Sequence, residues 1–264
     1  MSSPLEKVET ALITGASGGI GEAFACRLAA LSKNLILVAR REDKLNALAG
    51  ELAAKHGVQT HVIAADLSQP SAAASLFAET ERRGLVVDLL INNAGFAKVG
   101  DFAELPLDVQ ADMIRLNVNT LAELTRCYLP ALCPRRRGGV INVASNAAFQ
   151  PVPYMAVYAA TKAFVLSFSE AVAEEVAAAG VTVLALCPGA TATDFWTIAG
   201  TWEDRRDTMQ TADEVVAVAL RAFERRKSSV VAGFQNKLLV FAASRLGPRR
   251  LVARIAGRMF SAGR

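Results

Sequence analysis

The chain has 264 residues, 52% hydrophobic and 20% charged, enough for one domain with a sizeable core. Its net charge of +4 is local: from Lys237 onward there are seven basic residues and no acidic one, while the preceding residues carry 22 basic against 25 acidic. Two histidines and four scattered cysteines without a C-x-x-C pair argue against a metal centre, a disulfide framework and a histidine-based catalytic triad.

The opening MSSPLEKVET has no basic region leading into an apolar run, and no segment offers about 20 apolar residues free of breakers or charges. A cytoplasmic protein without a spanning helix is expected. Short apolar runs then alternate with helical patterns. TALITG precedes a helix from about Gly19, LILVAR precedes Glu42 to Lys55, THVIAAD precedes Pro70 to Arg83, and VDLLINNAG precedes a helix through Leu129. GGVINVAS leads to a helix from Tyr158 to Ala179, VTVLALCPG to a variable stretch, and Ala212 to Arg226 forms a helix before the short strand SSVVAG. Strands apolar on both faces and alternating with helices predict a parallel sheet covered on both sides, a doubly wound α/β domain. Ligands of such sheets sit beyond the carboxyl ends of the strands.

TGASGGIG at 14 to 21 follows the first strand and opens the first helix. Its glycines allow positive φ and close approach to a pyrophosphate at the helix N-terminus, although a plain tight turn has the same composition. After the second strand stand Ala39, Arg40 and Arg41, with no carboxylate for a ribose 2′-hydroxyl. Guanidinium groups there suit a 2′-phosphate, favouring NADP(H) over NAD(H) with Arg40 the stronger candidate; the other reading is a pair of arginines opening a solvated helix. Asp66 can accept a hydrogen bond from an adenine amino group, cap with Ser68 the helix that Pro70 begins, or do both. In YAATK at 158 to 162, Tyr158 and Lys162 share a helix face, which by itself allows either proton chemistry or a phenol with a snorkelling lysine.

TGASGGIG at 14 to 21, NNAG at 92 to 95, Ser145, YAATK at 158 to 162 and PG at 188 to 189 together resemble the short-chain dehydrogenase/reductase family, from about residue 8 to residue 233. The resemblance implies a Rossmann-type fold, an NAD(P) cofactor, a homodimer or homotetramer, and the catalytic set Asn117, Ser145, Tyr158 and Lys162. It selects Asn117 over the nearby Asn119. It implies cofactor contacts from Gly15, Ser17, Gly18, Gly19, Ile20 and Gly21, from Arg40, Arg41, Asp66 and Leu67, from Asn93, Ala94 and Gly95, and from Pro188, Gly189, Thr191 and Thr193. Lys162 is expected to hold the nicotinamide ribose and Asn117 to support a water that links the lysine to solvent.

Physically, a nearby ammonium and an oxidised nicotinamide both favour the phenolate of Tyr158, and Ser145 can hydrogen-bond a carbonyl oxygen gaining negative charge. The expected activity is interconversion of a carbonyl and a secondary alcohol. Phe149, Met155, Phe195 and Trp196 are expected to line an apolar pocket for a ketone, aldehyde or β-ketoacyl compound. Two other classes compete. A non-catalytic NADP-binding regulatory or scaffold protein would have no reason to keep the acid/base set, and a serine hydrolase lacks both S-x-x-K and a suitable histidine.

The sequence divides at 236/237 into a Rossmann catalytic domain and a basic helical tail. After Gly247 and Pro248, Arg250, Arg254 and Arg258 form one row on a helix, beside Leu251, Ile255 and Met259. Such a helix can contact an anionic membrane surface, pack on its own fold or meet a neighbouring subunit; no nucleic-acid partner is expected.

Overall fold

The computed structural model describes residues 3–202, 207–245 and 248–261; Gly247 lies outside them. The chain alternates β1 (Thr10–Thr14), α1 (Gly19–Ala30), β2 (Asn34–Ala39), α2 (Glu42–His56), β3 (Thr60–Ala64), α3 (Ala72–Arg82) and β4 (Leu89–Asn92). There follow α4 (Leu107–Ile114), a π-helical stretch (Arg115–Thr120), α5 (Leu121–Arg135), β5 (Gly139–Val143) and α6 (Ala156–Val176). The C-terminal part comprises β6 (Thr182–Cys187), α7 (Phe195–Ala199), α8 (Ala212–Glu224), β7 (Ser229–Val231), α9 (Phe234–Arg245) and α10 (Arg249–Ser261).

All strands are parallel, in the order β3-β2-β1-β4-β5-β6-β7. The strand period of two divides the core between the two faces of the sheet. Ile13, Leu35 and Leu37 face one layer with Phe24 and Leu28 of α1, Leu45 of α2 and Phe223 of α8. Leu12, Ile36 and Val38 face the other with Leu76 of α3, Tyr128 of α5 and Val172 of α6. This burial on both sides is why the strands read as continuous apolar runs.

Helix ends follow local chemistry. Gly57 closes α2 in the left-handed region at φ 69°, and Thr211 with Glu214 forms a reciprocal capping box at the start of α8. The helix expected from Pro70 begins instead at Ala72, since Ser71 takes the left-handed region at φ 61°, while Asp66 closes the preceding turn by accepting from Ser68 N and Oγ at 3.0 and 2.7 Å. Helix α6 with its short 3₁₀ extension, Ala156–Ala179, is long and apolar enough to cross a membrane by composition. It packs against β6, with Val165 and Ser169 fully buried, as the core helix of a sheet protein does.

The sheet order reverses between β1 and β4, so the loops after these neighbours diverge to opposite faces and open a crevice at their carboxyl ends. The amino ends of the same strands are tied shut. Buried Asp88 accepts from Glu9 N and Thr10 N at 3.0 and 3.4 Å and from Arg137 Nε at 3.1 Å. Helix α9 begins at Phe234, so it runs across the 236/237 boundary expected from charge.

Candidate active site

The loop after β1 has no room for a side chain at Gly15 or Gly21. A Cβ on Gly21 would fall 2.3 Å from the Gly15 carbonyl oxygen and 2.6 Å from Asn93 Nδ2, and Gly15 itself takes φ +67°. Helix α1 opens at Gly19 without a side-chain cap, so its first-turn N–H groups are left for a ligand at the crevice end of the sheet. Across the crevice, a Cβ on Gly19 would meet Thr193 Cγ2 at 3.0 Å, which brings the loops after β1 and β6 together. Ile20 packs into the core layer below.

Asn93 fastens the β1 and β4 ends. Its Nδ2 donates to Thr14 O at 2.9 Å and Gly15 O at 3.2 Å, while Asn93 N and Ala94 N donate to Thr14 Oγ1 at 2.9 and 3.0 Å. Leu67 is buried, and its carbonyl accepts from Thr120 Oγ1 at 2.8 Å. These residues build the crevice wall through backbone and packing.

The two arginines after β2 have separate placements. Arg41 reaches the glycine loop, donating from Nη2 to Ser17 O at 3.0 Å and Oγ at 3.1 Å, and it lies 3.4 Å from where a Cβ on Gly18 would be. Arg40 instead acts on Asp66. Burial disfavours the charged form of that carboxyl, but hydrogen bonds from Ser68 and Gln69 and the Arg40 charge together hold it below the ordinary range. The guanidinium bonded to the loop is that of Arg41, while Arg40, favoured from sequence for a 2′-phosphate, lies near Asp66.

Ser145, Tyr158 and Lys162 converge where β5 meets α6, and all three are buried. The extended backbone of Ser145 starts a 3₁₀ turn, Asn146–Phe149, and its Oγ accepts from Ala147 N at 3.1 Å. Lys162 Nζ donates to Val143 O at 2.7 Å and lies 5.7 Å from the centre of the Tyr158 ring. Burial pushes the Tyr158 hydroxyl up to about 12, opposed by its hydrogen bond with Ser145. Burial likewise pulls the Lys162 ammonium down to about 8, with Cys187 acting the other way. Among the protein groups it is Ser145 that opposes the rise at Tyr158, while the Lys162 ammonium is turned to the Val143 carbonyl.

Asn117 lies in the π-helical stretch, where the wider turn carries its side chain to the strand ends. Its Oδ1 accepts from Phe96 N at 3.2 Å, and its Nδ2 donates to Phe96 O at 3.0 Å and Thr161 Oγ1 at 3.2 Å. Gly95 makes this possible, since a Cβ there would lie 2.8 Å from Asn117 Oδ1 and 3.6 Å from Lys162 Nζ. Thr161 was not singled out from sequence, although it lies inside YAATK; it donates onward to Tyr158 O at 2.7 Å and so links Asn117 to α6.

After β6, Pro188 O accepts from Asn146 N at 2.8 Å and Gly189 O from Thr191 Oγ1 at 3.1 Å. Thr193 Oγ1 accepts from Phe195 N at 3.3 Å. The segment that follows is pinned at its base, with Ala192 N donating to Gln210 O at 2.9 Å and Gln210 N to Ala190 O at 3.2 Å. Within that segment, residues 203–206 lie outside the described residues.

Met155, Tyr158, Phe195 and Trp196 share one apolar cluster. Aromatic contacts run outward from Tyr158 to Phe195 (5.6 Å between ring centres), Trp196 (5.1 Å), Trp202 (4.8 Å) and Phe260 of α10 (4.6 Å). A small open pocket lies beside Tyr158, lined among others by Gln110, Met113 and Met155. Phe149 goes elsewhere: it packs with Val165 and Cys187 because the 3₁₀ turn directs it toward α6. Met113 and Phe260 carried no local signal, being brought in by tertiary packing.

Residues 9–204 match the family model described as short chain dehydrogenase. The chain is 40% identical over 185 residues to a 7beta-hydroxysteroid dehydrogenase of Collinsella aerofaciens, covering 70% of each chain. To a very-long-chain 3-oxoacyl-CoA reductase of Mus musculus it is 35% identical over 189 residues, 70% of this chain and 60% of that one. Among solved structures, a short-chain dehydrogenase from Sphingobium yanoikuyae in complex with NADPH superposes with a TM-score of 0.80 at 35% identity, over 85% and 87% of the two chains. A solved 7beta-hydroxysteroid dehydrogenase gives 0.87 at 33% identity, over 97% and 99%.

Proposed function

This chain belongs to the short-chain dehydrogenase family and is an oxidoreductase of CH–OH groups, and from that premise we propose that it interconverts an apolar, ring-bearing or long-chain ketone and its secondary alcohol, using NADP(H) in preference to NAD(H). The observation that carries the reading is the convergence of Ser145, Tyr158 and Lys162 at the inner end of an aromatic wall, with Arg41 fixed on the glycine loop.

The crevice fits a dinucleotide: the glycine cradle, the uncapped α1 N-terminus and Gly95 leave backbone surface where pyrophosphate and ribose would pack. Arg41 would pair with the 2′-phosphate, and Asp66, held ionised, would accept from the adenine amino group. Pro188, Gly189, Thr191 and Thr193 would flank the nicotinamide end. When bound, the cofactor supplies or accepts the hydride.

Tyr158 gives its phenolic proton to the carbonyl oxygen in reduction and takes it back in oxidation. Ser145 donates a hydrogen bond to that oxygen as negative charge develops. Lys162 feeds charge and protons to Tyr158, with Asn117 and Thr161 holding the strand end and α6 in register. The aromatic wall excludes water and favours flat or extended apolar carbonyl compounds. The four free cysteines belong with a reducing cytoplasmic setting in the same reading.

The test is a panel of ketosteroids, 3-oxoacyl thioesters and small ketones assayed with NADPH and NADH in parallel. NADPH oxidation with bulky apolar ketones is expected. Background rates across the whole panel, or equal use of both cofactors, would overturn the activity or the cofactor preference respectively.

A further inference from the structure

The two C-terminal helices leave much apolar surface uncovered. On α9, Phe234, Leu238 and Phe241 form an i, i+4, i+7 stripe, and Phe234 is 81% exposed. On α10 the inner face is consumed by the fold: Ala256 and Gly257 are buried, a Cβ on Gly257 would sit 3.2 Å from Pro153, and Phe260 stacks on Trp202. The outer face carries Leu251, Ile255 and Met259 in one exposed row and Arg250, Arg254 and Arg258 in the next. This is half of a buried helix and half of an interfacial one.

We propose that the outer face of α10, with the apolar stripe of α9, docks on the surface of an anionic lipid bilayer. Three observations choose this occupant. Adjacent apolar and arginine rows match the boundary between acyl chains and phosphate headgroups. From Lys237 onward every formally charged side chain is basic, so an isologous contact with a second copy through this face would set arginines against arginines. The first turn of α10 carries Arg249 and Arg250 and no acidic residue, against the helix macrodipole, and an anionic surface compensates that placement. A nucleic acid would satisfy the charge but not the exposed apolar rows.

The position of the face gives the contact a consequence. Because Phe260 ends the aromatic chain from Tyr158, the docked helix also forms the rim of the substrate pocket. That last point rests on the function proposed above; the docking itself does not.

The experiment is co-sedimentation of the full chain with vesicles of phosphatidylglycerol and phosphatidylcholine, against vesicles of phosphatidylcholine alone. Binding to the anionic vesicles is expected, weakening from about 0.1 to 1 M salt. The exposed double variants Arg250→Glu/Arg254→Glu and Leu251→Gln/Ile255→Gln are each expected to weaken partitioning by about 10-fold or more while leaving NADPH binding and thermal stability unchanged. No binding to anionic vesicles, or binding indifferent to both variants, overturns the proposal. So does a concentration-dependent dimer that the variants dissociate in the absence of vesicle binding, which would assign the face to a second copy.

Discussion

Lys162 and Tyr158 stand one turn apart on α6, both buried, with the ammonium nitrogen 5.7 Å from the centre of the phenol ring and bonded to the Val143 carbonyl. With the lysine pulled down to about 8 and the tyrosine pushed up to about 12 by burial, the first of these protons to leave, near pH 8, is that of Lys162. Alcohol oxidation needs the Tyr158 phenolate and ketone reduction its phenol, so rising pH favours the former and disfavours the latter. Between about pH 6 and 9, kcat/KM for alcohol oxidation should rise while that for ketone reduction falls. Parallel profiles in the two directions would contradict the assignment.

The same shifts have a stability signature. Lysine's value is 10.5 when unperturbed, so between about 8 and 10 the unfolded chain holds more protons than the folded one at this site. Lys162 therefore adds stability as pH rises through that window. Tyr158, raised from 10.0 to about 12, acts in the opposite sense above it, because there the folded chain holds the extra proton. Relative to Lys162→Met, the parent protein should gain stability from pH 8 to pH 10 in urea titrations; a flat difference would count against a charged, buried Lys162.

Arg41 touches the glycine loop and Arg40 does not share those bonds. Arg41→Ala should weaken NADPH binding by about 10- to 100-fold, the range of a charge-assisted hydrogen bond or two, and leave NADH binding nearly unchanged. Fluorescence titration with both cofactors measures this. A larger loss in Arg40→Ala would move the 2′-phosphate to that residue.

Gly21 and Gly50 offer a matched contrast. Gly21→Ala places a Cβ 2.3 Å from the Gly15 carbonyl, whereas Gly50, within α2, has nothing within 4 Å. Gly21→Ala should cost about 1–3 kcal/mol and lower Tm by several degrees together with cofactor affinity. Gly50→Ala should instead stabilise by about 0.5–1 kcal/mol. Thermal melts with and without NADPH separate the two.

Phe260 and Trp202 stack at 4.6 Å between ring centres, 14° from parallel. Phe260→Ala should raise KM for bulky apolar ketones by several-fold, consistent with an aromatic pair of about 0.5–1.5 kcal/mol, and leave small ketones unaffected. Equal effects on both substrate sizes would assign the residue to stability alone.

Much of this architecture is legible in the chain because it depends on short-range pattern. Both faces of the inner strands are buried, so the apolar runs mark the sheet, and Tyr158 with Lys162 needs only helical spacing to meet. What the sequence does not reveal depends on contacts between distant segments. Arg41 rather than Arg40 reaches Ser17 because of how the β1 and β2 loops lie side by side. The π-helical turn that carries Asn117 is an adjustment within an otherwise ordinary helical pattern. Phe149 reads as a pocket residue by position but, half-buried, packs toward α6 after one 3₁₀ turn, while Phe260 reads as tail and packs on the pocket wall.

Replacement of the single phenolic oxygen tests the proposed chemistry most directly. Tyr158→Phe keeps the ring and its packing against Phe195, so NADPH should bind within about two-fold of the parent while reductase turnover falls by about 10²–10⁴-fold. Parent-like turnover in a variant that binds NADPH normally would contradict the role of Tyr158 as the proton donor.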